Sequence, residues 1–534
     1  MSATPTAAAA SADTIKPGAS LPIGSSAQPS ASSSATISSP GSGVDSDFHS
    51  GTSDCEKQMN HKGDASKAVD TPVYSVFTRG EKWALTSITI LAGLHSPFPA
   101  NIYLPAIPRM ATVFDKSIGQ MNLTVTTYLI LQGCAPMLWG PLSDRYGRRP
   151  IFISCLSILV GACIGLALCP TNAFWLLLLL RCMQAAGCAS TVALSAGVIG
   201  DIATPEERGG FYGISNIGPM IAPALAPAIG GVLAQNLGWR SVFWFLVISG
   251  SLCIVCIALF YPETARNIAG NGSIALPPMY RALVPVIGRG RVGTAATSER
   301  APRKAYINPF TIFLYPDVCI MLLAAGIVYA TWYTVTATIS SSFQDIYDLS
   351  EAEIGLWYIP VGSGMAVSSV ITGKIQDWDY KRIKDSTLAG TPFPKELARL
   401  RFTPIYICGF MVAIASWGFC LEYKVPKAAL GVISFFVGYG MVCVLNNIST
   451  LMIDILHAQS SAATACINLV RCSLAAVFVA CIDKMTTQLS YKWSYVLLAG
   501  LCFLTFPLLW VSIRVAPKWR MAREAREAIV ASAE

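Results

Sequence analysis

The sequence predicts an all-α integral membrane protein of twelve transmembrane helices in two pseudo-symmetric six-helix halves. Three observations predict it. Of 534 residues, 53% are hydrophobic and only 13% charged, against roughly 25% charged in soluble domains. Apolar runs long enough to cross ~30 Å of hydrocarbon recur along nearly the whole chain. They fall at 83–105, 121–142, 151–169, 173–197, 211–236, 241–261, 316–340, 354–376, 404–421, 428–455, 462–483 and 493–513. A trace of internal repetition relates the two sets of six. Gly140-x-Leu142-x-Asp144 follows the second run and Gly373-x-Ile375-x-Asp377 the eighth, each glycine 57 positions after the start of the first run of its half.

Residues 1–80 are rich in Ser, Ala, Thr, Pro and Gly, too poor in large apolar side chains to offset the entropy of ordering, and are expected to be a disordered tail. They lack the apolar core of a cleavable signal peptide. The first half, 81–264, opens on a run interrupted by Leu94-His95-Ser96-Pro97-Phe98-Pro99. Its prolines should break the helix and free backbone groups for a cavity, and His95 is a candidate proton carrier because imidazole titrates in the right range. The second run ends in a charged turn, Gly140-Pro141-Leu142-Ser143-Asp144-Arg145-Tyr146-Gly147-Arg148-Arg149-Pro150. One carboxylate and three arginines beside a bilayer are costly unless they pair with each other or with helix ends. Asp144 is expected near a helix amino terminus of the opposite half.

The fourth run places Arg181 roughly eight residues, or ~12 Å, into its helix, with Gln184 one turn later. An intramembrane arginine faces a cavity or a partner. In the fifth run Gly218, Ala222, Ala226 and Gly230 recur every four residues as a smooth packing stripe, followed by Gly231. Beside it Pro219, Pro223 and Pro227 each remove a backbone hydrogen bond, the pattern of a hinge. A basic central loop, 265–314, leads to the second half, 315–514. There Arg471 lies deep in the eleventh run, one turn after Asn468, and Asn446 and Asn447 sit mid-run in the tenth. Tyr128, Tyr329, Trp332, Tyr333, Trp357 and Tyr358 are candidates to line an adaptable pocket. A short tail, 515–534, closes the chain.

Lysine and arginine placement orients the molecule. A cytosolic amino terminus puts Arg145, Arg148, Arg149, Arg208 and the basic central loop inside, with Lys381, Arg382, Arg399 and Arg401. The loop after the seventh run then lies outside, carrying Asp345, Asp348, Glu351 and Glu353. An even number of spans brings both termini into the cytosol. The net charge of +8 therefore reports topology, and no nucleic-acid partner is expected. Most of the 17 cysteines lie inside apolar runs as small packing residues. No metal-ligand spacing, nucleophile–base pair or phosphate loop stands out, so no metal, cofactor or enzymatic activity is expected.

The charged turn resembles the loop between the second and third spans of major facilitator superfamily transporters, Gly-x-Leu-x-Asp-Arg-x-Gly-Arg-Lys/Arg, with every signature position filled. Arg181-Cys182-Met183-Gln184-Ala185-Ala186-Gly187 is similar to that family's Arg-x-x-Gln-Gly-x-Gly motif, associated with proton coupling. The fifth run resembles the Gly-Pro-x-x-Gly-Gly signature of drug:proton antiporters, with Ala222 and Ala226 where glycines stand. Ile102-Tyr103-Leu104-Pro105-Ala106, Gly238-Trp239-Arg240, Pro262-Glu263-Thr264-Ala265-Arg266 and Asn271-Gly272-Ser273-Ile274 look like the fungal twelve-span drug:proton antiporters, especially the quinidine-resistance-like branch. The resemblance covers roughly 80–515. It implies the major facilitator fold and a proton-driven, monomeric exporter in the cell membrane, whose partners are lipid, protons and a small-molecule substrate. Deep arginines without a carboxylate at comparable depth point to an organic acid or secondary metabolite. A broad drug or xenobiotic efflux pump and a transporter-like nutrient sensor remain the alternatives.

Overall fold

The computed structural model describes residues 74–215, 217–292, 309–386, 393–456 and 460–533. The expectations for residues 1–73 and for 293–308 lie outside them. Among the described residues the chain is overwhelmingly helical, with no β-strand. Helices form because hydrocarbon offers the backbone no hydrogen bonds, so each crossing segment must satisfy its own N–H and C=O groups.

Among the described residues, nine helices are long and apolar enough to cross a membrane. The last of them, Ala462–Arg514, runs 53 residues and supplies two spans, because the chain turns at Ser490, where φ is 62°. The first span and the more polar second, Ile118–Tyr146, complete twelve. The first is interrupted: Arg79–Leu94 ends at His95, Phe98–Asn101 follows Pro97, and Ile107–Val113 finishes the crossing. Its start is set by a capping box, in which the Thr78 hydroxyl accepts from the Glu81 N–H and the Glu81 carboxylate from the Thr78 N–H. Spans three to six are Arg148–Ala167, Phe174–Ile202, Gly210–Leu237 and Arg240–Phe260. Spans seven to ten are Pro316–Tyr347, Glu351–Ser386, Lys395–Glu422 and Lys427–Ile455. The carboxyl-terminal stretch, expected only as a tail, forms a helix, Ala516–Ala533.

The halves meet along two seams, the second span against the eleventh and the fifth against the eighth. The fifth–eighth seam is built from small residues. A Cβ on Gly231 would collide with the Glu351 carbonyl, one on Gly355 with the Pro227 carbonyl, and one on Gly362 with Ala224. Where lipid gives no hydrophobic drive between helices, close backbone approach of this kind supplies the contact.

Candidate functional site

At the centre of the bundle the interrupted first span and the fourth span hold one arginine. Arg181 is completely buried. Its Nη1 donates to the Pro99 carbonyl at 3.3 Å and to Gln184 Oε1 at 2.5 Å. The helix break thus supplies the backbone acceptor that an intact helix would have consumed. Gln184 Nε2 in turn reaches Cys163 Sγ at 3.1 Å. The guanidinium lies over the rings of Tyr103 and Tyr128, 4.4 and 4.3 Å from their centroids, a cation–π arrangement that holds a buried charge without neutralising it. Tyr128 is fixed by the Ser96 carbonyl at 3.4 Å and Cys188 Sγ at 2.9 Å.

The second half offers a matching group. Arg471 Nη2 donates to Asn468 Oδ1 at 2.6 Å, and its guanidinium lies 4.5 Å from the Tyr329 ring centre. Asn468 Nδ2 donates across the interface to the Gln132 carbonyl at 2.8 Å. Tyr329, Trp332 and Tyr333 form one aromatic cluster. Several buried polar atoms have no hydrogen-bond partner among the described residues: Nε and Nη2 of Arg181, Nε of Arg471, the Trp332 indole N–H and the Tyr333 hydroxyl. Neither arginine forms an ion pair with a carboxylate among those residues. Unspent buried donors on cations are costly, and an anionic or acceptor-rich ligand satisfies them.

The charged turn is a second constellation. Arg148 pairs with Asp144 at 2.7 Å and with Asp201 at 3.0 Å, and donates to Ser143 Oγ at 2.6 Å. Glu263 accepts from the backbone N–H groups of Arg148 and Arg149 at 2.8 and 3.2 Å, and from those of Thr264 and Ala265 at 3.0 and 2.9 Å. It therefore caps the third span, where orphan N–H groups and the helix dipole both favour a carboxylate. Burial nonetheless holds the Glu263 carboxyl above the ordinary carboxylate range, against the pull of those N–H groups. Gly147 makes the cap possible: its φ is 99°, and a Cβ there would strike the Glu263 carboxylate. Arg149 donates to the carbonyls of Met279 and Ala258. Arg145 is exposed beside Tyr146, and the Gly140 carbonyl accepts from Ser143 Oγ at 2.7 Å.

Comparison with known proteins decides the family. Residues 89–480 match the profile of the Major Facilitator Superfamily. Citrate exporter 1 of Aspergillus niger is 35% identical over 481 residues, covering 86% of this chain and 91% of that protein. Multidrug transporter QDR2 of Candida glabrata is 32% identical over 86% of this chain and 84% of its own length. The xylose transporter XylE of E. coli, in a partially occluded inward-open conformation, superposes with a TM-score of 0.59 at 14% identity, over 82% of this chain and 98% of that one. The chain belongs to the Major Facilitator Superfamily. It is a multi-pass membrane protein of a transporter family.

Within this superfamily framework the residues selected from sequence separate into distinct places. Arg181, Gln184, Tyr128, Tyr329, Tyr333, Asn468 and Arg471 converge on the centre. His95 does not join them: its Nδ1 contacts the Leu91 carbonyl at 2.9 Å and its Nε2 Ser249 Oγ at 3.3 Å. Asn447 is spent tying spans together, accepting from Gln376 and donating to Thr403 Oγ1 at 2.9 Å. The Asn446 carbonyl accepts from Thr450 within its own helix. Gly218 lies against Ile90 and Leu94, and Gly230 against Ile102, so this edge of the fifth span faces the first. Ala222, Ala226, Pro223 and Pro227 are buried, Pro219 is half-buried beside Gly93, and both internal prolines sit within one continuous helix. Asp144 is bound within its own half, where Asn267 also donates to its carbonyl at 2.5 Å. Sequence reasoning did not single out Tyr103, Glu263 or Glu351 as functional. Tyr103 and Glu263 lie inside stretches that carried the family resemblance, and Glu351 lies in the acidic loop that oriented the chain.

Proposed function

We propose that this protein exports an organic acid or a related anionic secondary metabolite by alternating access, driven by protons. The carrying observation is the pair of central arginines, one from each half, each keeping at least one buried N–H group unspent and neither paired with a carboxylate among the described residues. A carboxylate substrate accepts from such forks in a low-dielectric setting, where the interaction is strongest. The similarity to a citrate exporter supports the same reading. Both arginines belong to one chain, so a monomer suffices. The end of the bundle that carries Arg145, Arg148, Arg149, Arg399 and Arg520 is assigned to the cytosol of the plasma membrane by its basic residues, with both termini on that side.

A second reading rests on the aromatic wall of Tyr103, Tyr128, Tyr329, Trp332 and Tyr333, which suits neutral amphiphiles and agrees with the similarity to multidrug transporters. Efflux of a labelled organic acid and of a neutral dye, from cells with matched surface expression, separates the two. Arg181→Gln and Arg471→Gln should each lower anion efflux by roughly tenfold or more, the scale of a lost charged hydrogen bond, and spare the dye. Arg→Lys should rescue poorly, because the planar fork is lost. Equal loss of both cargoes removes the anion reading. In proteoliposomes, collapse of the pH gradient by an uncoupler should abolish concentrative transport; unchanged accumulation excludes proton coupling.

A further inference from the structure

The stretch after the sixth span carries a surface that the transport site does not use. Residues 265–298 contain no Asp or Glu, yet include Arg266, Arg281, Arg289 and Arg291. Its described part, residues 265–292, does not loop freely into water. The Leu283 N–H donates to the Ala258 carbonyl at 3.2 Å and the Val284 N–H to the Leu259 carbonyl at 2.8 Å, binding the strip to the last turn of the sixth span. Arg149 grips the Met279 carbonyl, and the Glu263 N–H donates to the Tyr280 carbonyl at 3.1 Å. With the backbone committed inward, the side chains project outward: Met279, Leu283 and Val286 are 60%, 72% and 59% exposed.

Two of the four arginines spend their terminal guanidinium nitrogens on the protein. Arg291 pairs with Glu81 at 2.6 Å, and Arg266 donates to the Tyr74 carbonyl at 3.1 Å and lies over the Tyr74 ring. Arg281 and Arg289 are exposed beside the apolar side chains, with Arg281 Nε fixed to the Leu276 carbonyl. The apolar strip also continues a flank that must already face lipid, since Ile248, Leu252 and Val255 stand exposed along the sixth span. An exposed apolar row contiguous with a lipid-facing helix, flanked by cations and free of carboxylates, has the chemistry of a membrane-surface contact.

We propose that residues 277–292 form an interfacial anchor for anionic phospholipid. Met279, Leu283 and Val286 enter the boundary of the acyl chains, while Arg281 and Arg289 hold headgroup phosphates. Because Arg149 and Glu263 bind this strip directly, the anchor also fixes the depth of the charged turn.

The test uses the full chain in nanodiscs of phosphatidylcholine with or without phosphatidylglycerol, which present lipid to both ends and so do not depend on the orientation proposed above. A photoactivatable benzoylphenylalanine at position 283 should crosslink to acyl chains. Native mass spectrometry should show phosphatidylglycerol retained over phosphatidylcholine, and R281Q/R289Q should lower that retention by about fivefold per arginine. R281K/R289K, which keeps the charge, should restore most of it. Crosslinking to other parts of the chain, or to none, would show the strip covered or water-facing and overturn the anchor. Retention unchanged in R281Q/R289Q would overturn the headgroup assignment.

Discussion

The two ends of the bundle are held together in different ways. At the acidic end the halves hold each other. Arg109 reaches Glu351 at 3.4 Å, the Ala352 N–H donates to Gln235 Oε1 at 3.0 Å, and Gly231 lies against the Glu351 backbone. At the basic end each half holds itself. Arg148 pairs with Asp144 and Asp201 in the first half; in the second, Arg399 pairs with Asp454 at 2.8 Å, Arg520 with Glu396 at 2.7 Å and Arg523 with Asp317 at 3.0 Å. Glu396 and Asp317 are buried, so their ion pairs are strongly committed: removing one partner would strand a buried charge. The cross-half pair at the acidic end is half open to solvent on its arginine side, a class of contact worth little on its own. The difference suits a rocking machine. Strong links keep each half rigid, while weak polar links over a tight seam let the halves part.

The seam between the fifth and eighth spans is the most sensitive point of this arrangement. Gly231→Leu forces bulk against the Glu351 carbonyl, and overpacking costs ~1–3 kcal/mol, enough to shift access states that differ by little. Export should fall roughly tenfold or more at matched surface expression, whereas Gly373→Ala, whose Cβ meets nothing within 4 Å, should export normally. Normal export by Gly231→Leu would show that the seam does not govern access.

Glu263→Ala probes the rigid end. It strips the acceptor from the Arg148 and Arg149 N–H groups, and buried unsatisfied donors cost about 1–3 kcal/mol, so Tm in detergent should drop clearly. The pH dependence has a definite sign. Because the folded Glu263 pKa is raised above 4.5, its titration favours the folded state most fully below 4.5 and this contribution fades as pH rises through the folded value. Glu263→Gln should flatten that portion of the Tm–pH profile; an unaltered profile would show that Glu263 titrates normally.

Asp144→Asn should disturb stability less, by under about 1 kcal/mol, since Arg148 keeps Asp201 and the Asp144 side chain is 48% exposed. Efflux should nonetheless slow, because Arg148 loses the partner that ties the end of the second span into the ion-pair cluster of its half. A Tm drop as large as that of Glu263→Ala, with unchanged efflux, would reverse the assignment. Arg109→Gln is the smallest change. Tm should hold within about 0–1 kcal/mol of stability, while thiol labelling of a cysteine placed at Ala234, which is buried here, should rise as the acidic end loosens. Unchanged labelling would mean that the small-residue seam closes this end without the ion pair.

The spans could be read from sequence because hydrocarbon demands long apolar runs, whatever they pack against. The charged turn could be read because glycines and clustered charges beside a bilayer have few other uses. Individual polar residues could not be sorted that way. His95, Asn447 and Arg181 are all polar groups in apolar runs, yet the first two are satisfied by Ser249, Gln376 and Thr403, and the third keeps open donors. Only spatial partners distinguish them. Glu263 was hidden for the same reason: nothing near it in sequence reveals that the third span begins 115 residues earlier and is capped by it.

By itself the sequence determined what the solvent dictates: how many crossings the chain makes, where it turns, and which end is basic. Those follow from local composition, because desolvating a backbone or a charge costs free energy wherever it occurs. The tertiary structure decided which buried donors stay unspent, which face of the fifth span meets the first and which the eighth, and which carboxylate caps the charged turn. Those depend on where distant helices place a few atoms to within hydrogen-bond distance, a condition that residue order alone does not express.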